Sequence, residues 1–254
     1  MILKNIDNGI AFDFGKTSEN YAKYRDIYPS EFYEKLHDLG VGHKGQDWLD
    51  LGSGTGVVPR AMYHHGANIT ATDISENQIT QAIRLSEDNG MQMNYKVCPA
   101  EETGYADNSF DVITACQCFM YFNKEKTIPE IRRMIKPNGL FVKTYMSFLK
   151  EDAIAAQTKA LISEFNPSWT ASRPAINDFF NDYFDNPVMD SFRIKLNFTR
   201  DSWMGRTMTM RGVQAQMDED VLAEFNRAHE KLLKEIAPDE FTIDHKVFIT
   251  AYRI

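Results

Sequence analysis

Cysteine is scarce in this chain, with Cys98, Cys116 and Cys118 the only three in 254 residues. Three thiols cannot build a disulfide framework at this length, and their scarcity fits a reducing compartment. Basic charge is also short. Lys and Arg total 28 against 36 Asp and Glu, a formal net charge of -8. Nucleic-acid backbones and anionic membrane surfaces are held by a strong positive field, so neither is expected as a partner. No apolar run approaches the ~20 residues that cross a bilayer. The opening Met-Ile-Leu-Lys-Asn-Ile-Asp lacks the charged-then-apolar order of a signal peptide. Repeats and low-complexity tracts are missing too. A cytoplasmic globular protein is the expectation.

What is present is an ordinary core-forming composition, 43% hydrophobic and 25% charged, which excludes disordered, collagen-like and coiled-coil chains. From about Gln46 to Phe148 short apolar runs alternate with helical patterns. Strands are predicted at Asp47–Leu51, Asn68–Thr72, Tyr95–Cys98, Asp111–Ala115 and Leu140–Tyr145. Helices are predicted at Val57–His65, with Gly66 as the stop, and after Ser75, where Gln78 completes a capping box. Ile128, Ile131 and Ile135 mark a further helix, and Pro137-Asn138-Gly139 reads as a turn. Such alternation gives a parallel sheet with helices on both faces.

The last hundred residues are less regular. A helix near Asp152–Phe165, a strand at Ser191–Phe198, a helix at Glu219–Ile236 and a strand at Ile243–Tyr252 are expected, with 166–190 an excursion. Phe179, Phe180, Tyr183 and Phe184 read either as an aromatic lid or as a packing face. Arg206 and Arg211, in a locally basic stretch, read either as ligands for an anionic substrate or as part of a solvated basic face.

The strongest motif is Leu49-Asp50-Leu51-Gly52-Ser53-Gly54-Thr55-Gly56, between a predicted strand and a predicted helix. Glycines there permit close backbone approach to a ligand, and the helix behind offers free N–H groups to an anion. Asp73 ends the second strand, where a carboxylate can accept from both hydroxyls of a ribose. Together they describe a nucleoside-containing cofactor. A dinucleotide fingerprint needs its third glycine at position 57, which is Val57. A phosphate-binding loop ending in Gly15-Lys16-Thr17 would need glycine at position 10, which is Ile10. No cysteine and histidine spacing points to a metal.

In this order and spacing the sequence resembles the class I S-adenosylmethionine-dependent methyltransferases, in the small-molecule branch that includes ubiquinone/menaquinone and trans-aconitate methyltransferase-like enzymes. The resemblance rests on Leu49–Gly56, on Asp73-Ile74-Ser75, and on Ala100-Glu101 followed by Asp107-Asn108-Ser109-Phe110-Asp111. Ile131-Arg132-Arg133-Met134-Ile135-Lys136-Pro137-Asn138-Gly139 completes it. It implies an α/β, Rossmann-like fold: a seven-stranded sheet, mostly parallel with an antiparallel last strand, helices on both faces, and a lid insertion in the C-terminal part. Because the two late strands with a helix between them could extend the same sheet, one domain with an inserted lid is expected rather than two, with cap helices in 1–44, a cofactor core in 45–149, and the lid and last two strands in 150–254.

The resemblance further implies S-adenosylmethionine as cofactor, with S-adenosylhomocysteine as product. Gly52, Ser53, Gly54 and Gly56 would line its methionine part, supported by Asp50. Asp73 would hold the ribose, Ile74 and Ala100 the adenine, and Glu101 the base edge, with Gln78 over the nucleoside. Cys116 and Gln117 would face the sulfonium. The leader around Tyr21, Tyr24 and Arg25 resembles one found in this branch. There Tyr21 and Tyr24 would border the methyl group and Arg25 would meet the cofactor carboxylate. Related sequences often carry His-Trp where this one has Met120-Tyr121, which leaves Tyr121 as the polar group. Tyr21, Tyr24, Gln117 and Tyr121 are the catalytic candidates, and Tyr121, Tyr145, Arg206 and Arg211 the substrate candidates. A non-catalytic nucleoside-binding module and a nicotinamide oxidoreductase are the alternative readings.

Overall fold

The computed structural model describes Leu3, residues 6–171 and residues 179–254. The chain divides into two compact units. One comprises Met1–Ile27, Met146–Asp178 and Phe192–Val247, and the other Tyr28–Tyr145, Phe179–Ser191 and Phe248–Ile254.

The second unit carries the alternating stretch. Its strands are β1 (Asp47–Leu51), β2 (Asn68–Asp73), β3 (Asn94–Val97), β4 (Phe110–Cys116) and the start of β5 (Ile135–Phe148). Its helices are α2 (Ser30–Asp38), α3 (Val57–Met62), α4 (Glu76–Glu87) and α5 (Lys124–Met134). β1 pairs in parallel with β2 and β4, β2 with β3, and β4 with β5. The middle strands are buried on both faces, which is why they read as continuous apolar runs. Trp48, Leu49, Leu51 and Ile113 are fully buried, each contributing about 1.5–3 kcal/mol. α3 ends through a short 3-10 turn at Gly66, left-handed at φ 88°. The Ser75 hydroxyl caps α4 by accepting from the Gln78 N–H.

The turn expected at 137–139 is a bulge inside β5. Phe110 pairs with Ile135 and Val112 with Leu140, so β5 spends five positions where β4 spends two. Asn138 absorbs the excess with φ 62°. Phe179 and Phe184 are buried, and Phe184 lies 5.3 Å from Phe141 and from Tyr252. These rings pack against the sheet. Lys143, also buried, donates to the carbonyls of Phe179 and Asn181 at 2.6 and 2.7 Å. The middle of the 166–190 excursion lies outside the described residues.

In the first unit, α1 (Ser18–Tyr24) is joined by α6 (Ala153–Phe165), α7 (Arg200–Met208) and α8 (Glu219–Ile236). α6 starts at Asp152, whose side chain accepts from the Ala155 N–H. α7 was not legible as a helix, yet Thr199 and Ser202 form a capping box at its start. Asp7 is fully buried, with both oxygens taken by Arg211 at 2.6 and 3.0 Å. Thr170 and Gln216 add hydrogen bonds to the same carboxylate. Burial raises the Asp7 pKa, but Arg211 and Thr170 outweigh that, and the net shift is downward.

β6 (Val188–Thr199) and β7 (Glu240–Arg253) complete a seven-stranded sheet of order β3-β2-β1-β4-β5-β7-β6. Leu149 donates to Asp244, and Ile254 to Gly139, so β7 runs antiparallel to β5. The sheet is mostly parallel and Rossmann-like, as expected, with its final strand placed between β5 and β6. Alternation on β6 is as read: Ile194, Leu196 and Phe198 are buried and Arg193, Lys195 and Asn197 exposed.

Candidate active site

The glycine turn leaves β1 at its carboxyl end and enters α3 through Gly56, which is left-handed at φ 74°. Gly52 is the most constrained of the three. Its φ is 63°, and a methyl group there would stand 2.8 Å from the Cys118 sulfur. Gly54 also has positive φ, but the space beside it holds only Gln78 Oε1 at 3.7 Å.

Two carboxylates support this turn. Asp73 Oδ2 accepts from the Gly54 N–H at 2.9 Å, and Oδ1 accepts from Ser75 at 2.8 Å. A carboxylate has about four lone-pair sites, so each oxygen keeps capacity for a ligand hydroxyl. Asp50 is fully buried behind the turn. Trp48 donates to the Thr114 hydroxyl at 2.8 Å, and Thr114 donates onward to Asp50 at 2.5 Å. Burial, with a smaller push from Asp73, raises the Asp50 carboxyl to about 6 despite that hydrogen bond. Burial raises Asp73 as well. Two carboxylates held against their own repulsion favour a ligand with cationic and hydroxyl groups.

The neighbouring residues add apolar and strained features. Ile74 is 58% exposed, unusual for an aliphatic side chain, while Ala100 is buried. Glu101 accepts from the Asn123 N–H at 2.7 Å. Gln117 adopts φ 64° at the end of β4 and donates its N–H to the Thr144 carbonyl. Non-glycine residues in that conformation concentrate at functional sites. Cys118 donates to the Leu51 carbonyl at 3.0 Å, and burial raises both the Cys116 and Cys118 thiols. They are packing thiols with little thiolate. Tyr121 is half-buried in a short 3-10 turn after β4, and Tyr145 is buried with its ring 5.7 Å from Phe179.

The remaining candidates lie in the first unit. Tyr21 accepts from Arg25 Nη2 at 3.0 Å and carries the guanidinium 4.5 Å over its ring. Tyr24 packs on Gly205 and donates to Asp201 at 3.4 Å. Arg206 and Arg211 are 5% and 4% exposed, which corrects their reading as a solvated face. The partner of Arg211 is Asp7, far away in sequence, so charge counting could not reveal it. Thr114 and His245 were missed. The signal for each was one polar residue at an inward position of an apolar strand. Among the described residues no group of His, Cys, Asp and Glu is arranged to hold a metal, and no helix is long and apolar enough to cross a membrane.

A parallel sheet with a glycine turn after its first strand and an acid at the end of its second is the arrangement that binds nucleoside cofactors in open α/β folds. Residues 49–143 match the methyltransferase domain family model. A protein of Dictyostelium discoideum named as a methyltransferase is 24% identical over 91% of this chain and 90% of its own. The ubiquinone biosynthesis O-methyltransferase of Azoarcus is 27% identical over 44% of this chain and 53% of its own. The chain thus spans about half the length of that relative. A solved structure from Anaeromyxobacter dehalogenans, titled as a type II methyltransferase, superposes with a TM-score of 0.65. It is 23% identical, over 89% of this chain and 97% of that one. Over residues 49–143 the chain thus matches the methyltransferase domain family, and its fold is that of the solved structure.

Proposed function

We propose that the protein transfers a methyl group from S-adenosylmethionine to a small-molecule acceptor by direct in-line displacement. The reading rests above all on the Gly54–Asp73 hydrogen bond, which couples the glycine turn to the acid at the end of β2. That coupling sets a ribose acceptor beside exposed backbone. The residues suit this cofactor. Two carboxylates complement its ammonium and sulfonium charges, and the exposed Ile74 offers an apolar face to adenine. In this reading Gly52, Ser53, Gly54 and Gly56 line the methionine part, backed by Asp50. Asp73 takes the ribose hydroxyls, Ile74 and Ala100 flank adenine, and Glu101 and Gln78 border the nucleoside. Cys116 and Gln117 adjoin the sulfonium.

When bound, the cofactor supplies a methyl carbon already activated by positive sulfur. The protein's task is then alignment and exclusion of water, and alignment alone can contribute roughly 7–11 kcal/mol. Tyr121 and Tyr145 are the second unit's candidates for the acceptor side. Neither a carboxylate nor a thiolate acceptor requires a base, whereas a neutral hydroxyl or amine does. The three free thiols support a cytoplasmic location.

Calorimetry with S-adenosylhomocysteine and with NAD tests the cofactor, and transfer of labelled methyl to a metabolite extract tests the reaction. Tight binding of the first ligand alone, with a labelled small molecule formed, is expected. Binding of NAD instead, or cofactor binding without any labelled product, would refute the corresponding half.

A further inference from the structure

The first unit holds a buried basic cluster that the cofactor reading leaves unused. His245 is fully buried on β7. Its Nδ1 lies 2.9 Å from the Ile243 carbonyl, which can only accept, so Nδ1 carries the proton. Nε2 is then the lone-pair nitrogen, and it has no hydrogen-bond partner among the described residues. A buried polar atom without a partner is costly to keep, so its retention calls for a reason.

The surroundings supply one. Phe148 and Phe198 flank the imidazole at 6.2 and 6.3 Å. Both rings also meet Trp203 of α7, at 6.0 and 5.0 Å. One turn along α7, on the same face as Trp203, Arg206 is buried. Beside it Gly205 has no room for a methyl group, because the Tyr24 ring fills that space. The contact brings in Arg25, which follows Tyr24 directly. Arg25 Nε is buried and has no hydrogen-bond partner among the described residues. The charged groups acting on His245 are Arg206, Arg25 and Asp152. Asp152 accepts one backbone N–H at each oxygen, from Ala155 and Asp244. Burial foremost, aided by the two guanidiniums, holds the imidazole down at about 4. Arg25 donates from Nη2 to Tyr21 and Arg206 from Nη1 to Thr209, and both guanidiniums act on the aromatic-flanked imidazole.

We propose that this cluster binds the acid group of a small molecule, a carboxylate or phosphate, with Arg25 and Arg206 donating to its oxygens and His245 taking up a proton from solvent on binding. The incoming oxygen then accepts from Nε2–H, which gives the orphaned nitrogen its partner. Phe148, Phe198 and Trp203 favour an acid on a planar apolar body. Arg25 thereby receives an anion other than the cofactor carboxylate implied by the leader motif. The site lies within one unit and does not depend on methyl transfer.

The test uses the full chain with isotope-labelled histidine at pH 7, with His245 signals assigned through His245→Gln. Benzoate, inorganic phosphate and neutral benzamide are titrated separately. The expected result is a saturable move of the His245 signals toward the imidazolium position with benzoate, phosphate or both. Calorimetry in buffers of different ionisation enthalpy should show matching proton uptake, and benzamide should do nothing. A stronger response to benzoate identifies a carboxylate ligand, and one to phosphate a phosphoryl ligand. Arg25→Gln should weaken binding about 10-fold or more. If that variant is unfolded by circular dichroism, Arg25→Lys, which keeps the charge and loses the fork, should weaken it partially. Signals unmoved by either anion at tens of millimolar, moved equally by benzamide, or unaffected by a folded Arg25 variant would overturn the proposal.

Discussion

Asp73 acts on two partners, since the oxygen that would receive a ribose hydroxyl also holds the Gly54 N–H. Asp73→Ala should therefore weaken cofactor binding by about 10-fold or more, read by calorimetry, with little loss of fold. Asp50 makes the site pH-dependent. Its carboxyl titrates at about 6, so it is charged above that value and neutral below. Affinity for the cationic cofactor should fall as pH drops through 6, and an Asp50→Asn variant should lose that dependence. Gly52 should be the least replaceable glycine. Gly52→Ala places a methyl group against Cys118 and strains a left-handed backbone at about 1–2 kcal/mol, whereas Gly54 meets only the end of Gln78. Retained binding in Gly52→Ala would show that the turn relaxes. From sequence, the three glycines looked alike. The difference arises from Cys118, placed there by the end of β4, and no local pattern encodes that contact.

Among the elements, those whose periodicity spans the whole segment were legible. β1 and α8 have the bounds their patterns predict, since an amphipathic face or apolar run sets each end. α7 was missed because Arg200–Met208 is largely polar and interrupted by Gly205. The glycine is there for Tyr24, a partner remote in sequence. The bulge in β5 was taken for a turn because Pro-Asn-Gly supports both, and only pairing with β4 decides. The packing of α6 on α8 carries its own prediction. Trp203 donates to the Thr158 hydroxyl, which lies 3.2 Å from Nε2 of His229. Burial lowers the His229 pKa to about 4. A histidine with lowered folded-state pKa gives full stability above about 6.5, its unfolded value, and loses it as pH falls from there toward 4. His245 follows the same rule with the same sign. The thermal midpoint should decline over that window, and His229→Leu should flatten part of the decline.

At the scale of the whole chain, remote segments lock one another. Asp7 and Arg211 form a buried pair with Thr170 and Gln216 attached. Removing one partner of such a pair costs about 3–5 kcal/mol, so Asp7→Ala should lower denaturant stability by that amount, while a loss below 1 kcal/mol would contradict the pairing. The sheet class was legible because five strands and their connecting helices follow the parallel pattern. The order of the last two was not, since alternation tells which face a strand buries and says nothing about its neighbours. Arg206 and Arg211 illustrate the same limit: their burial depends on segments that meet only after folding.

The place of β7 has a consequence for biosynthesis. The strand flanked by β5 and β6 comes from residues 240–253, so both neighbours leave the ribosome before the piece that joins them. Until then each exposes unpaired backbone along one margin, the kind of surface that recruits other nascent chains. Pairing with β7 thus competes with any other edge strand that reaches β5 or β6 first.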